Sequence, residues 1–275
     1  MSTPTQLLSI VCDDATELQQ QLNDLYEYKN DILTKVYHRS RIALFQRVMQ
    51  RLIANGVICE FDCALDIGCN AGFYSKIISD IGFKEVLGVD ISAKYIERAR
   101  REFGSELPKK RISFRVMDAT DLIRAETTRY NFILCTEVIE HTDDPDAVIQ
   151  SILALLAPGG AAIVSLPNCL SLGYLTSYLS SVLRRREITE GLRDHLRYPF
   201  YKGPSLFRAK GARIVCSSGV NCLFNGPLLL LLHDTPLSAH LNRLNFWLSR
   251  RWPFKWFAQF FFFVVVKNES SVSGT

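Results

Sequence analysis

The sequence predicts an α/β fold: a doubly wound, mostly parallel sheet with helices on both faces. Three observations carry that prediction. Apolar strands and helical segments alternate from about residue 63 to 166, which calls for crossover connections and hence a parallel sheet. The stretch Ala64-Leu65-Asp66-Ile67-Gly68-Cys69-Asn70-Ala71-Gly72-Phe73-Tyr74-Ser75 reads as a buried strand, a glycine turn and a helix start. Such a turn lets a ligand lie against bare backbone at a helix N-terminus. Carboxylates sit at four predicted strand ends, Asp66, Asp90, Asp118 and Glu137, where ligands of open α/β sheets bind.

Residues 13–54 are predicted helical. Leu18, Leu22, Leu25, Ile32, Leu33 and Val36 keep helical spacing, and Ile42, Phe45, Val48, Met49, Leu52 and Ile53 do so again. Asn55-Gly56 closes the second helix. Because residues 1–56 precede the glycine turn, they read as a helical cap. The plainer alternative is a helix pair packed on the sheet edge.

Residues 57–268 form the main predicted domain. Cys63–Ile67 is strand one, with a helix from Gly72 to Ile81. Glu85–Asp90 is strand two, followed by a helix over Ala93–Phe103. Strand three is Ile112–Asp118 and strand four Tyr130–Cys135. Asp144-Pro145 opens a helix reaching about Leu156, with proline suited to its first turn. Pro158-Gly159-Gly160 is a predicted turn before strand five, Ala161–Leu166. A helix over Leu170–Leu183 and the basic run Arg184-Arg185-Arg186 come next. Ala212–Ser217 is strand six, residues 223–255 an apolar and basic insertion, and Phe257–Val266 the last strand. Residues 269–275 are polar and predicted disordered.

Hydrophobic residues make up 48% of 275 positions, enough for a sizeable core. A net charge of +4 permits an acidic partner without demanding one, and no DNA partner is expected. Eight cysteines show neither a C-x-x-C pair nor a zinc-like spacing with histidine. Cys63, Cys135 and Cys216 lie in apolar runs and read as small core residues. Met1 to Val11 lacks the basic start and apolar centre of a secretory leader, so a reducing, cytoplasmic setting is expected. No apolar run reaches the ~18 residues of a membrane-spanning helix.

Gly68 and Gly72 frame the turn, but a dinucleotide fingerprint would need glycine where Asn70 and Phe73 stand. Asp66 would repel a pyrophosphate and attract an amino group, directly or through water. Asp90, 22 residues after Gly68, suits ribose hydroxyls. Asp118 suits an adenine amino group and the Ala119 N–H a ring nitrogen; alternatively Asp118 is a helix cap.

Taken together, Leu65-Asp66-Ile67-Gly68-Cys69-Asn70-Ala71-Gly72, Leu87-Gly88-Val89-Asp90, Met117-Asp118-Ala119, Glu137-Val138-Ile139-Glu140-His141 and Leu156-Ala157-Pro158-Gly159-Gly160 resemble the class I S-adenosylmethionine-dependent methyltransferases. The resemblance covers about residues 60–170 and extends more loosely to 218. It implies a Rossmann-like sheet of seven strands, one antiparallel near the end, and S-adenosyl-L-methionine as cofactor. It implies cofactor contacts at Asp66, Gly68, Asp90, Asp118, Ala119 and Cys135. Cys69, Asn70, Gly72, Ile91 and Glu137 complete the candidate set.

Methyl transfer is an in-line displacement in which the protein aligns the nucleophile and excludes water. A hydroxyl acceptor benefits from a base. His141 and His195 are the candidates, each with a packing role as its plainer alternative. Glu137, Glu140 and His141 also form a set able to hold Mg²⁺ or Mn²⁺. The Glu-Val-Ile-Glu-His string resembles two branches: quinone-ring O-methyltransferases, and small-RNA 3′-end 2′-O-methyltransferases that add a later histidine. Metal-free chemistry is the expectation, with no metal ligand assigned.

Three functions compete. The first is methylation of a small-molecule acceptor, with residues 1–56 and 223–255 building the pocket. Leu228 to Leu232, Phe246, Trp247, Trp252, Phe254 and Trp256, with Arg250, Arg251 and Lys255 among them, also suit peripheral contact with an anionic membrane. Their plainer role is to shield the last strand. The second is RNA methylation, with phosphate contacts from Arg184–Arg186 and Lys109–Arg111, although no RNA-binding module is visible. The third is an inactive partner protein, against which the retained carboxylates argue.

Overall fold

The computed structural model describes residues 32–107, 110–183, 190–220, 222 and 236–267. Predicted features at residues 13–31, Lys109, Arg184–Arg186, Leu228–Leu232 and 269–275 lie outside the described residues.

Among the described residues eight strands pair into one sheet: β1 Cys63–Ile67, β2 Glu85–Asp90, β3 Ser105–Leu107, β4 Lys110–Val116, β5 Tyr130–Thr136, β6 Leu156–Pro167, β7 Ala212–Val220 and β8 Phe260–Lys267. Their order is β3-β4-β2-β1-β5-β6-β8-β7. The five from β4 to β6 run parallel. β8 lies antiparallel between β6 and β7, the reversed strand that the resemblance implies. All seven expected strands are present. The additional β3 is a short hairpin arm on β4; three residues are too few to show an alternating pattern. Six of the seven residues of β5 are buried, as expected of a central strand covered on both faces.

The helices are α1 Ile32–Ala54, α2 Phe73–Ile81, α3 Ala93–Phe103, α4 Leu122–Ala125, α5 Pro145–Leu155, α6 Leu172–Leu183, α7 Glu190–His195, α8 Lys202–Ala209 and α9 Pro236–Leu248. Local chemistry fixes several ends. Gly56 takes φ +65° just beyond α1. Asp144 Oδ1 accepts the Ala147 N–H at 3.0 Å, and Pro145 opens α5.

Over its described length α1 is one continuous helix rather than two. Its face of Ile42, Leu44, Phe45, Val48, Met49 and Leu52 is buried. Phe45 meets Tyr74 of α2 at 5.3 Å and Phe132 of β5 at 6.2 Å between ring centroids. This part of the predicted cap therefore shares the sheet's own core.

Several boundaries and one burial differ from expectation; β4 spans Lys110–Val116 rather than Ile112–Asp118, and β7 runs on to Val220. β6 begins at Leu156 and takes in Pro158-Gly159-Gly160, because a register shift beside Tyr130 and Gly159 at φ +73° carry the irregularity inside the strand. β8 starts at Phe260, since Phe254–Phe257 close into a 3₁₀ turn. α6 starts at Leu172. Cys135 is buried and Cys63 half-buried, but Cys216 is exposed, at the β7 bulge that interrupts alternation after Ile214.

Asn168 joins three segments. Its buried Nδ2 donates to the Trp256 and Ala258 carbonyls at 2.7 and 2.9 Å. Its Oδ1 accepts the Leu170 and Phe200 N–H groups at 3.2 and 3.0 Å. No helix among the described residues is long and apolar enough to cross a membrane.

Candidate functional site

From β1 the chain builds outward to β2 and β4 on one side and to β5 and β6 on the other. The crevice beyond β1 and β5 is thus the switch point at which doubly wound sheets bind ligands. A cavity of about 520 Å³ lies there, walled by the turns that follow β1, β2, β4 and β5.

The first turn is held from both sides. The Gly68 and Cys69 N–H groups donate to the Val89 carbonyl at 2.8 and 2.9 Å. Gly68 has φ +71°, and a Cβ there would stand 2.2 Å from Val138 Cγ2, so only glycine fits beneath that side chain. Asn70 also adopts a left-handed φ, +49°. Its N–H donates to Asp90 Oδ2 at 2.9 Å, while Asp90 Oδ1 accepts the Ser92 N–H at 2.9 Å. Asp90 thereby sets the turn geometry and still faces the cavity.

Asp118 takes the capping role and also reaches the cavity. Its Oδ1 accepts the Thr120 N–H and Oγ1, each at 2.8 Å, and it lines the cavity with Ala119. Ile91, 70% exposed, gives the same wall an apolar patch. Gly68, Cys69, Asn70, Asp90, Ile91, Asp118, Ala119 and Glu137 all line the cavity, as does His141.

Asp66, Gly72 and Cys135 are not in the cavity wall. Asp66 faces α2, where its Oδ2 accepts the Ser75 hydroxyl at 2.6 Å. Burial raises its pKa to about 7, against the opposing pull of that hydrogen bond. Of the two expected routes to an amino group, direct or through water, this placement outside the wall does not supply the direct one. Gly72, at φ +86°, is a packing glycine: a Cβ would come within 2.7 Å of the Phe114 ring. Cys135 is sealed within the sheet.

Arg41 and Tyr74 are among the wall residues that escape the sequence reading. Arg41, buried on α1, places Nη2 3.0 Å from Glu137 Oε1. The available signal was a charge between apolar positions on the α1 core face. Tyr74 has a buried hydroxyl without a protein partner, and burial pushes its pKa up to about 12. Glu137 itself holds φ +56°, a costly conformation of the kind that gathers at functional sites.

His141 and His195 come together, with ring centroids 5.3 Å apart. His141 lines the cavity; His195 stands behind it, against Tyr174 of α6 at 5.1 Å. His141 Nδ1 lies 3.6 Å from Asp194 Oδ2. Burial, and then His141, hold the His195 pKa below its usual value. Glu140 is 2% exposed, and neither carboxyl oxygen has a hydrogen-bond partner. Burial and the neighbouring Glu137 push its pKa well up. Glu140, His141 and His195 offer ligand atoms within 4.8 Å of one another. That group shares Glu140 and His141 with the set weighed from the sequence and has His195 where that set had Glu137, which pairs with Arg41.

The described part of the insertion, residues 236–255, does not line the cavity. Phe246 packs against the core, whereas Trp247 and Trp252 are exposed. The pocket-building role expected of residues 223–255 is thus not seen among its described residues.

A family model for a methyltransferase domain matches residues 37–210. The ubiquinone biosynthesis O-methyltransferase of Bordetella avium is 32% identical over 104 residues, 38% of this chain and 42% of that protein. The protein of the same name from Coxiella burnetii is 28% identical over 155 residues, 56% of this chain and 64% of that protein. The chain thus spans about half the length of the curated relatives it matches. Magnesium protoporphyrin IX methyltransferase from Synechocystis PCC 6803, solved with bound SAH, superposes with a TM-score of 0.57 at 14% identity, covering 97% of this chain and 100% of that one. That likeness is one of fold.

Proposed function

The chain belongs to the class I S-adenosylmethionine-dependent methyltransferases, and from that premise we propose that it transfers the methyl group of S-adenosylmethionine to a hydroxyl of an apolar small molecule, a quinone-like phenol being the favoured class. The observation that carries this reading is one cavity with acids along one wall and His141 at the end of β5.

The donor set suits the cofactor. Each Asp90 oxygen accepts one backbone N–H and retains capacity for a ribose hydroxyl. Asp118 and the Ala119 N–H suit the base, with Ile91 against its face. Arg41 and the unpartnered Tyr74 hydroxyl suit the carboxylate, and Glu137 the ammonium. When bound, the cofactor supplies a methyl group on a sulfonium whose departure leaves a neutral thioether. His141 accepts the acceptor's proton, and Asp194, 3.6 Å from its Nδ1, orients the ring. α1, fastened through Arg41 to Glu137, keeps water from the reacting groups. The ubiquinone O-methyltransferase relatives support a hydroxyl acceptor.

Isothermal titration with S-adenosylmethionine, followed by labelled-methyl transfer to a panel of catechol and phenol acceptors, tests the reading. His141→Ala should lower turnover by about 10²–10⁴ with unchanged cofactor affinity. A folded protein that takes up no S-adenosylmethionine refutes the proposal; full turnover in His141→Ala removes His141 as the base.

A second reading is favoured by Glu140, a buried carboxyl without a partner beside two imidazoles. Glu140, His141 and His195 can hold a divalent cation, whose charge would stabilise a deprotonated acceptor oxygen. Chelator-sensitive turnover restored by Mg²⁺ or Mn²⁺ would establish it. Turnover indifferent to chelator would leave His141 as the base.

A further inference from the structure

α6 has no charged side chain in its twelve residues, Leu172–Leu183. A surface helix of that composition ordinarily turns its apolar side inward. Tyr174 does so, packing on His195 and, at 6.2 Å between rings, on Phe260. The larger share of the helix faces outward. Leu172, Leu175, Leu179 and Val182 are all exposed, at spacings of three and four that align them in one stripe. Leu183, at its end, is 82% exposed.

A second apolar group lies beyond the helix. Leu170, also exposed, shares the Asn168 Oδ1 acceptor with Phe200. Phe200 stacks on Trp256 at 5.4 Å, and Trp256 meets Trp252 at 6.0 Å. Trp252 is 71% exposed. Exposed apolar surface of this extent marks an interaction site.

Charge identifies the occupant. The chain as a whole is only +4, yet residues 195–267 hold ten Lys and Arg and a single acid, Asp234. Arg251 and Lys255 flank Trp252 in sequence, and the Arg251 guanidinium lies 4.1 Å over the Trp247 ring. Arg184-Arg185-Arg186 follow α6 directly in the sequence. Leucines, tryptophans and cations are the residue types suited to the acyl chains, interface and headgroups of an anionic bilayer. A nucleic acid would use the cations and leave the leucines in water.

We propose that α6 and the Trp252 turn form a peripheral docking face for an anionic lipid bilayer. The proposal keeps the Trp252 turn from the wider expectation of membrane contact through residues 223–255 and adds α6 to it. This inference rests on surface chemistry and not on the transfer reaction.

Flotation of the full chain with phosphatidylcholine vesicles, with and without phosphatidylglycerol, tests it. Each engaged cation contributes about fivefold in affinity for an anionic surface, so binding should rise at least tenfold with phosphatidylglycerol and fall as salt rises. The Leu179→Glu/Leu183→Glu variant and, separately, Trp252→Glu should each lose at least tenfold while keeping wild-type circular dichroism and S-adenosylmethionine affinity. Failure of the wild type to float with anionic vesicles overturns the proposal, as does flotation of both folded variants at the wild-type level. Sedimentation showing a dimer that the same substitutions dissolve, without flotation, would assign the face to self-association instead. Binding to single-stranded RNA without flotation would assign it to nucleic acid.

Discussion

Arg41 Nη2 lies 3.0 Å from Glu137 Oε1, which fastens α1 to the residue after β5 within the cavity wall. Arg41 also stands 5.7 Å over the Phe260 ring, so one side chain couples the first described helix, the site and the last described strand. Arg41→Ala should destabilise the protein by about 1–3 kcal/mol, below the cost for a fully buried pair because Glu137 keeps some solvent contact. S-adenosylmethionine affinity should fall at least ~10-fold. Arg41→Lys should recover part of each, since lysine keeps the charge and loses the fork. Chemical denaturation and titration calorimetry on the three proteins check this; equal values throughout would detach Arg41 from the site.

Gly68 and Val138 form a steric lock. Gly68→Ala meets two obstacles, the left-handed φ of +71° and a Cβ position 2.2 Å from Val138 Cγ2. The backbone term alone costs about 1–2 kcal/mol. Cofactor affinity should drop sharply while far-ultraviolet dichroism is retained. Adding Val138→Ala removes the clash but not the backbone cost, so the double variant should recover part of the affinity. A Gly68→Ala protein with wild-type affinity would contradict the placement of this turn.

Asp66 ties stability to pH. Its folded pKa of about 7 exceeds the usual 3.8, so the folded state binds the extra proton between those values. The group's contribution is fully present below about pH 4 and is lost as pH rises through about 7. Asp66→Asn keeps the shape and removes the titration. Its melting temperature should therefore fall less than that of wild type between about pH 5 and pH 8. Parallel melting curves for the two proteins across that range would show that Asp66 does not titrate there.

Asn168→Ala should be among the most damaging polar substitutions. It leaves the Leu170 and Phe200 N–H groups without their acceptor and the Trp256 and Ala258 carbonyls without their donor. Buried groups stripped of partners cost about 1–3 kcal/mol each, and some will find water. A loss of about 3–5 kcal/mol in denaturant unfolding is expected. A loss below about 1 kcal/mol would mean that those loops are held by other contacts.

The strands β1, β2, β4 and β5 were legible because each is a short run closed by a carboxylate or a glycine, and both features are local. The turns carrying Gly68, Asp90 and Asp118 were legible for the same reason. Parity was the missed clue for Asp66. Ala64 packs in the core layer with α1 and α2, whereas Leu65 and Ile67 pack in the opposite layer. Asp66 shares the Ala64 side, facing Ser75 in the first turn of α2. Arg41 and Tyr74 were hidden because their roles depend on how α1 lies across the sheet, which no short window encodes. The gathering of Glu140, His141 and His195 likewise needs α7 folded back beside β5, a long-range event. Cys216 misled because an apolar neighbourhood in sequence says nothing of a bulge.

The position of β8 has a consequence for synthesis. A chain made from its N-terminus finishes β6 and β7 well before β8 exists, yet β8 is the strand that stands between them. Until Phe260–Lys267 clears the ribosome, the whole outer edge of β6 offers open backbone to any passing strand. At about 5–20 residues per second, that vulnerable interval lasts several seconds. Nascent molecules halted upstream of Phe260 are thus the species from which aggregates of this protein should seed.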